Sequence, residues 1–214
     1  VNLIGLAVIV AVCALMIAVT QSFSPRPALD IYGLAVDPHV LQWLVVGFGS
    51  IGGEIANRAR PFGVEVVGAR RTKVQDPRAD EMVTVDQISE VLPLADVVVL
   101  ACPLTDETRG LVDQHFLSQM RDDAILVNVA RGPVVNTGEL LKALDSGRPD
   151  HAILDVFETE PLDDSSPLWD HPKVTLTSHV AGAGSGIVGR GDQVFLEQLD
   201  AYLSGRSLRL EVRS

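Results

Sequence analysis

Three stretches in the C-terminal half each follow a short apolar run with a group able to do proton or anion chemistry. Asn128-Val129-Ala130-Arg131-Gly132 supplies an arginine, Leu154-Asp155-Val156-Phe157-Glu158-Thr159-Glu160-Pro161 supplies three carboxylates, and Thr177-Ser178-His179-Val180-Ala181-Gly182 supplies a histidine. Taken singly, each is an ordinary surface charge or a hydrogen-bonded histidine. Taken together, they match what carbonyl reduction requires. An arginine holds a substrate carboxylate and polarises the neighbouring carbonyl, a histidine gives or takes the hydroxyl proton, and an acid holds the imidazole in place. Such a set still needs a hydride source and a scaffold that brings three distant stretches together.

Both are found upstream. The apolar run Trp43-Leu44-Val45-Val46 leads directly into Gly47-Phe48-Gly49-Ser50-Ile51-Gly52, and a helix-compatible segment follows. In a Gly-x-Gly-x-x-Gly turn, the first glycine permits the tight turn. The second lets a pyrophosphate approach the backbone, and the third lets helix pack closely on strand. The helix start adds unpaired N–H groups and the positive end of its dipole. A second apolar run, Val64-Glu65-Val66-Val67-Gly68, comes one helix length later and completes a βαβ unit. Gly47, Gly49 and Gly52 are therefore expected at a dinucleotide phosphate site. The tip of the second strand reads Gly68-Ala69-Arg70-Arg71-Thr72, with no acid before Asp76. A carboxylate there would bind the ribose 2′-hydroxyl of NAD, whereas Arg70, Arg71 and Thr72 suit the 2′-phosphate of NADP. NAD(P) is the expected cofactor, with NADP favoured.

From residue 43 onward, apolar runs and amphipathic segments alternate. The expected strands are Leu44–Val46, Val64–Val67, Val97–Ala101, Ile125–Val129, Ala152–Val156 and Val174–Leu176. Most are continuous rather than alternating, as in strands covered on both faces. The expected helices are Ile51–Ala59, Asp86–Leu92, Asp113–Met120, Thr137–Ser146 and Val188–Leu203, with Asp86, Asp113 and Thr137 as N-caps and Gly147 as a C-cap. This alternation predicts an α/β fold with a doubly wound parallel sheet. The charged and titratable groups then lie at the carboxyl ends of strands, in the same crevice as the glycine turn.

Composition sets limits. Among 214 residues, 47% are hydrophobic, ample for a packed core, and the net charge of −11 argues against a nucleic-acid partner. Cys13 and Cys102 form neither a disulfide framework nor a metal-ligand spacing, which suits a reducing cytoplasm and predicts no metal. The chain starts at Val1, and no charged residue occurs from Val1 to Pro25. Residues 1–24 are expected to form one apolar helix, ended by the prolines of a linker over residues 25–42. A helix buried between domains or subunits is favoured. Its core, Leu3 to Val19, is also close to the length of a membrane span, so a tether at residues 3–19 is the alternative.

The glycine turn, Ala101-Cys102-Pro103-Leu104-Thr105-Asp106-Glu107-Thr108-Arg109-Gly110-Leu111, Ala124 to Gly132, Leu154 to Leu162 and Ser178 to Gly182 together resemble the D-isomer-specific 2-hydroxyacid dehydrogenases. The resemblance is to the branch of glyoxylate/hydroxypyruvate reductases and phosphoglycerate dehydrogenases, and it covers about residues 40 to 210. It implies a Rossmann cofactor domain over residues 43–182, with a C-terminal helix and tail over 183–214. It implies that Arg131 binds substrate, that His179 is the catalytic histidine and that Glu160, rather than Glu158, is the acid paired with it. Ser50 and Ile51 match pyrophosphate contacts, and Arg70 stands where NAD-dependent members carry Asp. Cys102, Pro103 and Thr108 match the loop beside the cofactor, as Val129 and Ala130 do ahead of Arg131. Asp155 matches the residue near the nicotinamide carboxamide, Ala181 and Gly182 follow the histidine against the nicotinamide, and Arg131 and His179 are implied to touch the cofactor as well.

The departures are specific. Ser178 stands where proline is usual, Gly184-Ser185-Gly186 is loose, and residues 26–42 match poorly. Only about forty residues precede the glycine turn, so most of the family's substrate domain is expected to be missing. The resemblance implies hydride transfer between NAD(P)H and a small 2-oxo or 2-hydroxy acid, and a homodimer. The alternatives are a cofactor-binding fragment with little turnover, a dehydrogenase-like interaction module, and a membrane-tethered reductase.

Overall fold

The computed structural model describes residues 41–72, 74–182 and 187–208. The expected N-terminal helix and most of the linker lie outside them. Seven strands form one sheet: β1 (Gln42–Val46), β2 (Glu65–Arg70), β3 (Glu81–Thr84), β4 (Val97–Leu100), β5 (Ile125–Asn128), β6 (His151–Leu154) and β7 (Val174–Leu176). Their order is β3-β2-β1-β4-β5-β6-β7, and every pairing is parallel. The helices are α1 (Ser50–Ala59), α2 (Ile88–Val91), α3 (Gln114–Gln119), α4 (Thr137–Ser146) and α5 (Ile187–Leu203). The doubly wound α/β fold is as the alternation of runs predicts, and each of the six expected strands is present.

Three local expectations are corrected. β3 was not among the expected strands: its run Glu81-Met82-Val83-Thr84 places only Met82 and Val83 in the interior, too short an apolar signal to stand out. Asp86 is not a cap. Thr84 and Gln87 form a capping box over a 3-10 turn, and only Ile88–Val91 behind it is α-helical. Asn136, not Thr137, caps α4 by accepting from the Glu139 N–H at 3.1 Å. Asp113 does cap α3, and Gly147 ends α4 in a left-handed conformation (φ 88°).

The core has two parts, one on each face of the sheet. Leu44, Val67, Val98, Leu100, Leu126 and Leu154 meet the helices α2 to α4 on one side. Trp43, Val45, Val66, Val97, Val99 and Ile125 lie on the other, where α1 packs with Ile55, Ala56 and Ala59. Both faces being covered explains the unbroken Val/Ile/Leu runs.

Register sets the site. Ala69, Val46, Leu100, Asn128, Leu154 and Leu176 are aligned across six neighbouring strands. The residues that follow each of them therefore emerge along one edge. Gly47, Arg70, Ala101, Val129, Asp155 and Thr177 stand in that line, although up to 130 positions separate them in sequence. β1 and β4 are adjacent while the chain departs from them in opposite directions, so the switch point where a doubly wound sheet takes its ligand lies beyond their carboxyl ends, at the loops that follow Gly47 and Cys102.

Candidate active site

The glycine turn has the shape a pyrophosphate requires. Gly47 has φ 94°, and a Cβ there would overlap the backbone of Ala101 and Cys102, so β1 and β4 close together only over glycine. A Cβ on Gly52 would come 2.7 Å from the Gly47 carbonyl oxygen and 3.0 Å from Val45 Cγ1, which is the close helix–strand contact. Above Gly49 nothing lies within 4 Å, and α1 begins there with no side-chain cap. Open space, a bare backbone and uncapped N–H groups at a helix start fit a dinucleotide phosphate. Ser50 and Ile51 are exposed at this opening.

The wall across the crevice is the loop after β4. Cys102 is buried, and that burial pushes its thiol above the ordinary value. Pro103 is exposed, and the Thr108 hydroxyl donates to its carbonyl at 2.7 Å while accepting from the Thr105 N–H at 2.8 Å. These bonds fold the loop into a closed turn. At the tip of β2, Arg70 is half-buried, and Arg71 and Thr72 are exposed. The charge of Arg71 reaches Glu107 on the facing loop, where the Thr105 hydroxyl and then backbone N–H bonding do most to hold the carboxyl below its usual value.

The three stretches with charged groups meet as expected. Asn128, 1% exposed, ends β5 and bridges the next turn: its Oδ1 accepts from the Ala130 N–H at 3.0 Å and its Nδ2 donates to the Arg131 carbonyl at 3.1 Å. Val129 and Ala130 thus form the floor, and Arg131 emerges exposed, donating to the Ala130 carbonyl at 2.6 Å. His179 Nδ1 lies 2.6 Å from Glu160 Oε2, while Glu160 Oε1 accepts from the Phe157 N–H at 3.0 Å. Glu158 turns elsewhere and accepts from the Thr137 N–H at 2.6 Å, at the start of α4. Geometry therefore pairs Glu160, not Glu158, with the imidazole. Ala181 and Gly182 follow, and no atom lies within 4 Å of where a Gly182 Cβ would stand.

The Glu160 carboxyl is held below its ordinary value. The His179 hydrogen bond is the main cause, the Phe157 N–H comes next, and the charges of His179 and Arg131 add to both. A carboxyl lowered by folding stabilises the fold at pH above the carboxylate range, and this contribution disappears as pH falls through the lowered value. The stability gap between the wild-type chain and Glu160→Gln is therefore expected to shrink as pH falls from about 5 to about 3. Urea melts across that range check it, and a gap that stays constant would refute it.

His179 has φ 53°, the left-handed region that few side chains adopt, and Asp155 holds it there. Asp155 is 4% exposed. Its Oδ1 accepts from the Thr177 hydroxyl at 2.5 Å and the Val180 N–H at 2.9 Å, and its Oδ2 accepts from the Ala181 N–H at 2.9 Å. Its backbone carbonyl accepts from the His179 N–H at 2.8 Å. The carboxylate expected beside a nicotinamide is thus occupied in shaping the histidine turn. Asp155→Asn would turn an NH2 group toward one of these donors. It is expected to cost about 2 kcal/mol, the scale for a hydrogen bond to a buried charge. A thermal melt equal to wild type would show that the turn does not depend on the charge. The role of Asn128 and the Thr177 bond were not expected from sequence. The one available signal was a polar residue closing each of two apolar strands.

Among the described residues, no group of three His, Cys, Asp or Glu is placed to hold a metal, and no helix is long and apolar enough to cross a membrane.

A seven-stranded parallel sheet in this order, with a glycine turn at its switch point, defines a doubly wound dinucleotide-binding domain. Residues 31–181 match the profile of the D-isomer specific 2-hydroxyacid dehydrogenase NAD binding domain. The chain belongs to that family. An uncharacterized protein of the proB 3′ region of Corynebacterium melassecola is 36% identical over 168 residues, 78% of this chain and 55% of that protein. Glyoxylate/hydroxypyruvate reductase A of Klebsiella pneumoniae (strain 342) is 36% identical over 137 residues, 64% of this chain and 44% of the reductase. The chain thus spans about half the length of these relatives. A D-isomer specific 2-hydroxyacid dehydrogenase of Xanthobacter autotrophicus Py2, solved in complex with NADPH and MES, superposes with a TM-score of 0.82. It shares 27% identity, and the match covers 99% of this chain and 90% of that one.

Proposed function

We propose that this chain binds NAD(P)H, with preference for NADPH, and transfers hydride reversibly between it and a small 2-oxo or 2-hydroxy acid. The observation that carries the reading is the 2.6 Å contact between His179 and Glu160, at the same strand edge as the open glycine turn. When bound, the nicotinamide supplies the hydride. Gly47, Gly49, Ser50, Ile51 and Gly52 would hold its pyrophosphate, and Arg70, Arg71 and Thr72 the 2′-phosphate. Cys102, Pro103, Thr108, Val129, Ala130, Ala181 and Gly182 would line its path.

The chain's own groups account for the rest. Arg131 binds the substrate carboxylate and draws electron density from the adjacent carbonyl. Glu160 grips His179 Nδ1, so the other ring nitrogen, Nε2, is the one free to donate a proton to the developing alkoxide or to take one from a hydroxyl. Asp155 fixes the backbone from which the imidazole projects.

Titration of the purified chain with NADPH and NADH, followed by nicotinamide fluorescence, tests binding, and adding glyoxylate or hydroxypyruvate tests turnover. NADPH binding followed by oxidation on adding either acid supports the proposal. Tight binding without oxidation would leave a cofactor-binding unit and overturn the enzymatic part. Binding of neither nucleotide would overturn the whole reading.

A further inference from the structure

Arg78 plays no part in the arrangement above, yet it is among the most tightly held arginines near the crevice. Its Nε and backbone N–H both reach Asp76 Oδ1, at 2.9 and 3.1 Å, and its Nη2 reaches Oδ2 at 2.7 Å. The guanidinium lies against α1 where a Cβ on Gly53 would overlap it, and 5.8 Å from the centre of the Phe48 ring. Helix, ring and carboxylate thus fix it from three sides. Asp76 is the first acid after the tip of β2, and its side chain is only 12% exposed. Two cations act on it, Arg78 through hydrogen bonds and charge and Arg70 through charge alone. Neither the Arg70 nor the Arg71 side chain has an ion pair or hydrogen bond to another described residue. Of the two, Arg70 is the one whose charge also acts on Asp76, so it is the guanidinium that the carboxylate could take from an anion at the strand tip.

We infer that Arg78 is the positioning residue that decides cofactor preference: by occupying both oxygens of Asp76, it keeps that carboxylate from capturing Arg70, which then serves a 2′-phosphate. Without the Arg78 side chain, a nearly buried carboxylate would lose both its hydrogen bonds from the guanidinium, and Arg70 is the other cation among the described residues whose charge acts on it. A captured Arg70 meets no phosphate, and the lone pairs of Asp76 that Arg78 had occupied can accept from a ribose 2′-hydroxyl instead. This rests on the NADPH reading proposed above.

The test measures dissociation constants for NADPH and NADH in the wild-type chain, Arg78→Met and Arg78→Met/Asp76→Asn, with circular dichroism confirming that each folds. In Arg78→Met the preference for NADPH over NADH is expected to fall about tenfold or more, the worth of one charge-assisted contact. The double variant is expected to recover the wild-type ratio within about threefold, because the capturing charge is gone. A merely structural arginine would weaken both cofactors alike, and Asp76→Asn would not rescue it. A parallel loss, an unchanged ratio or a failed rescue overturns the inference while leaving the NADPH reading in place. A wild-type chain with no preference for NADPH overturns both.

Discussion

His179→Ala is expected to lower turnover of a 2-oxo acid by about 10³-fold, within the range a positioned general acid contributes. NADPH affinity should stay within about twofold, because the phosphate contacts lie at the other end of the nucleotide. The expectation rests on one grip. Glu160 takes Nδ1 at 2.6 Å, the Phe157 N–H pins the other carboxylate oxygen, and the left-handed backbone at residue 179 is held by Asp155. Removing the imidazole leaves those backbone contacts in place and removes the ring proposed to pass the proton. Because alanine adopts φ 53° less readily than histidine, His179→Asn is the companion variant, since asparagine tolerates that conformation. Both should be equally inactive. Full activity in the asparagine variant would show that proton transfer does not need this ring.

The same grip shows what was legible in the sequence and what was not. The glycine turn was legible because each glycine answers a separate steric demand: positive φ at Gly47, open space at Gly49 and a carbonyl 2.7 Å from a would-be Cβ at Gly52. The strands were legible because both faces are buried, which writes continuous apolar runs. β3 was not, because an edge strand with two buried residues leaves little pattern. The meeting of Arg131, Glu160 and His179 could be expected from parallel register, which lines up strand ends. The choice between Glu158 and Glu160 could not be made on spacing. It turns on a loop in which Glu158 serves α4 and Glu160 serves the imidazole. Likewise, Asp76 reads in sequence as too late in the chain to matter at the strand tip. Its importance appears only when the chain folds back toward β3 and sets Arg78 on α1.

Gly132→Ala is expected to be as damaging as loss of a catalytic group, though glycine carries no side chain to do chemistry. It stands next to Arg131, and a Cβ on it would overlap the carbonyl carbon and oxygen of Phe157 and crowd the Glu158 nitrogen. Those neighbours are backbone, so no rotamer change relieves the overlap. The segment from Phe157 to Glu160 would have to move outward by about 1 Å or more, and displacements of that size cost on the order of 10²-fold in rate when they separate reacting groups. The movement would break two bonds at once: the Phe157 N–H leaves Glu160 Oε1, and Glu160 is drawn from His179. Stability is expected to fall by about 3 kcal/mol, at the upper end for overpacking a filled interior. NADPH binding should weaken far less, because the glycine turn and β2 lie on the other side of β4. Measured together, melting temperature, NADPH affinity and turnover separate the possibilities. A large loss of turnover with affinity nearly kept means that the Arg131 and Glu160 loops work only in contact. An active, stable Gly132→Ala variant would mean that the two loops can part without harm, and the geometry assigned to Glu160 would then not be the one in which the histidine works.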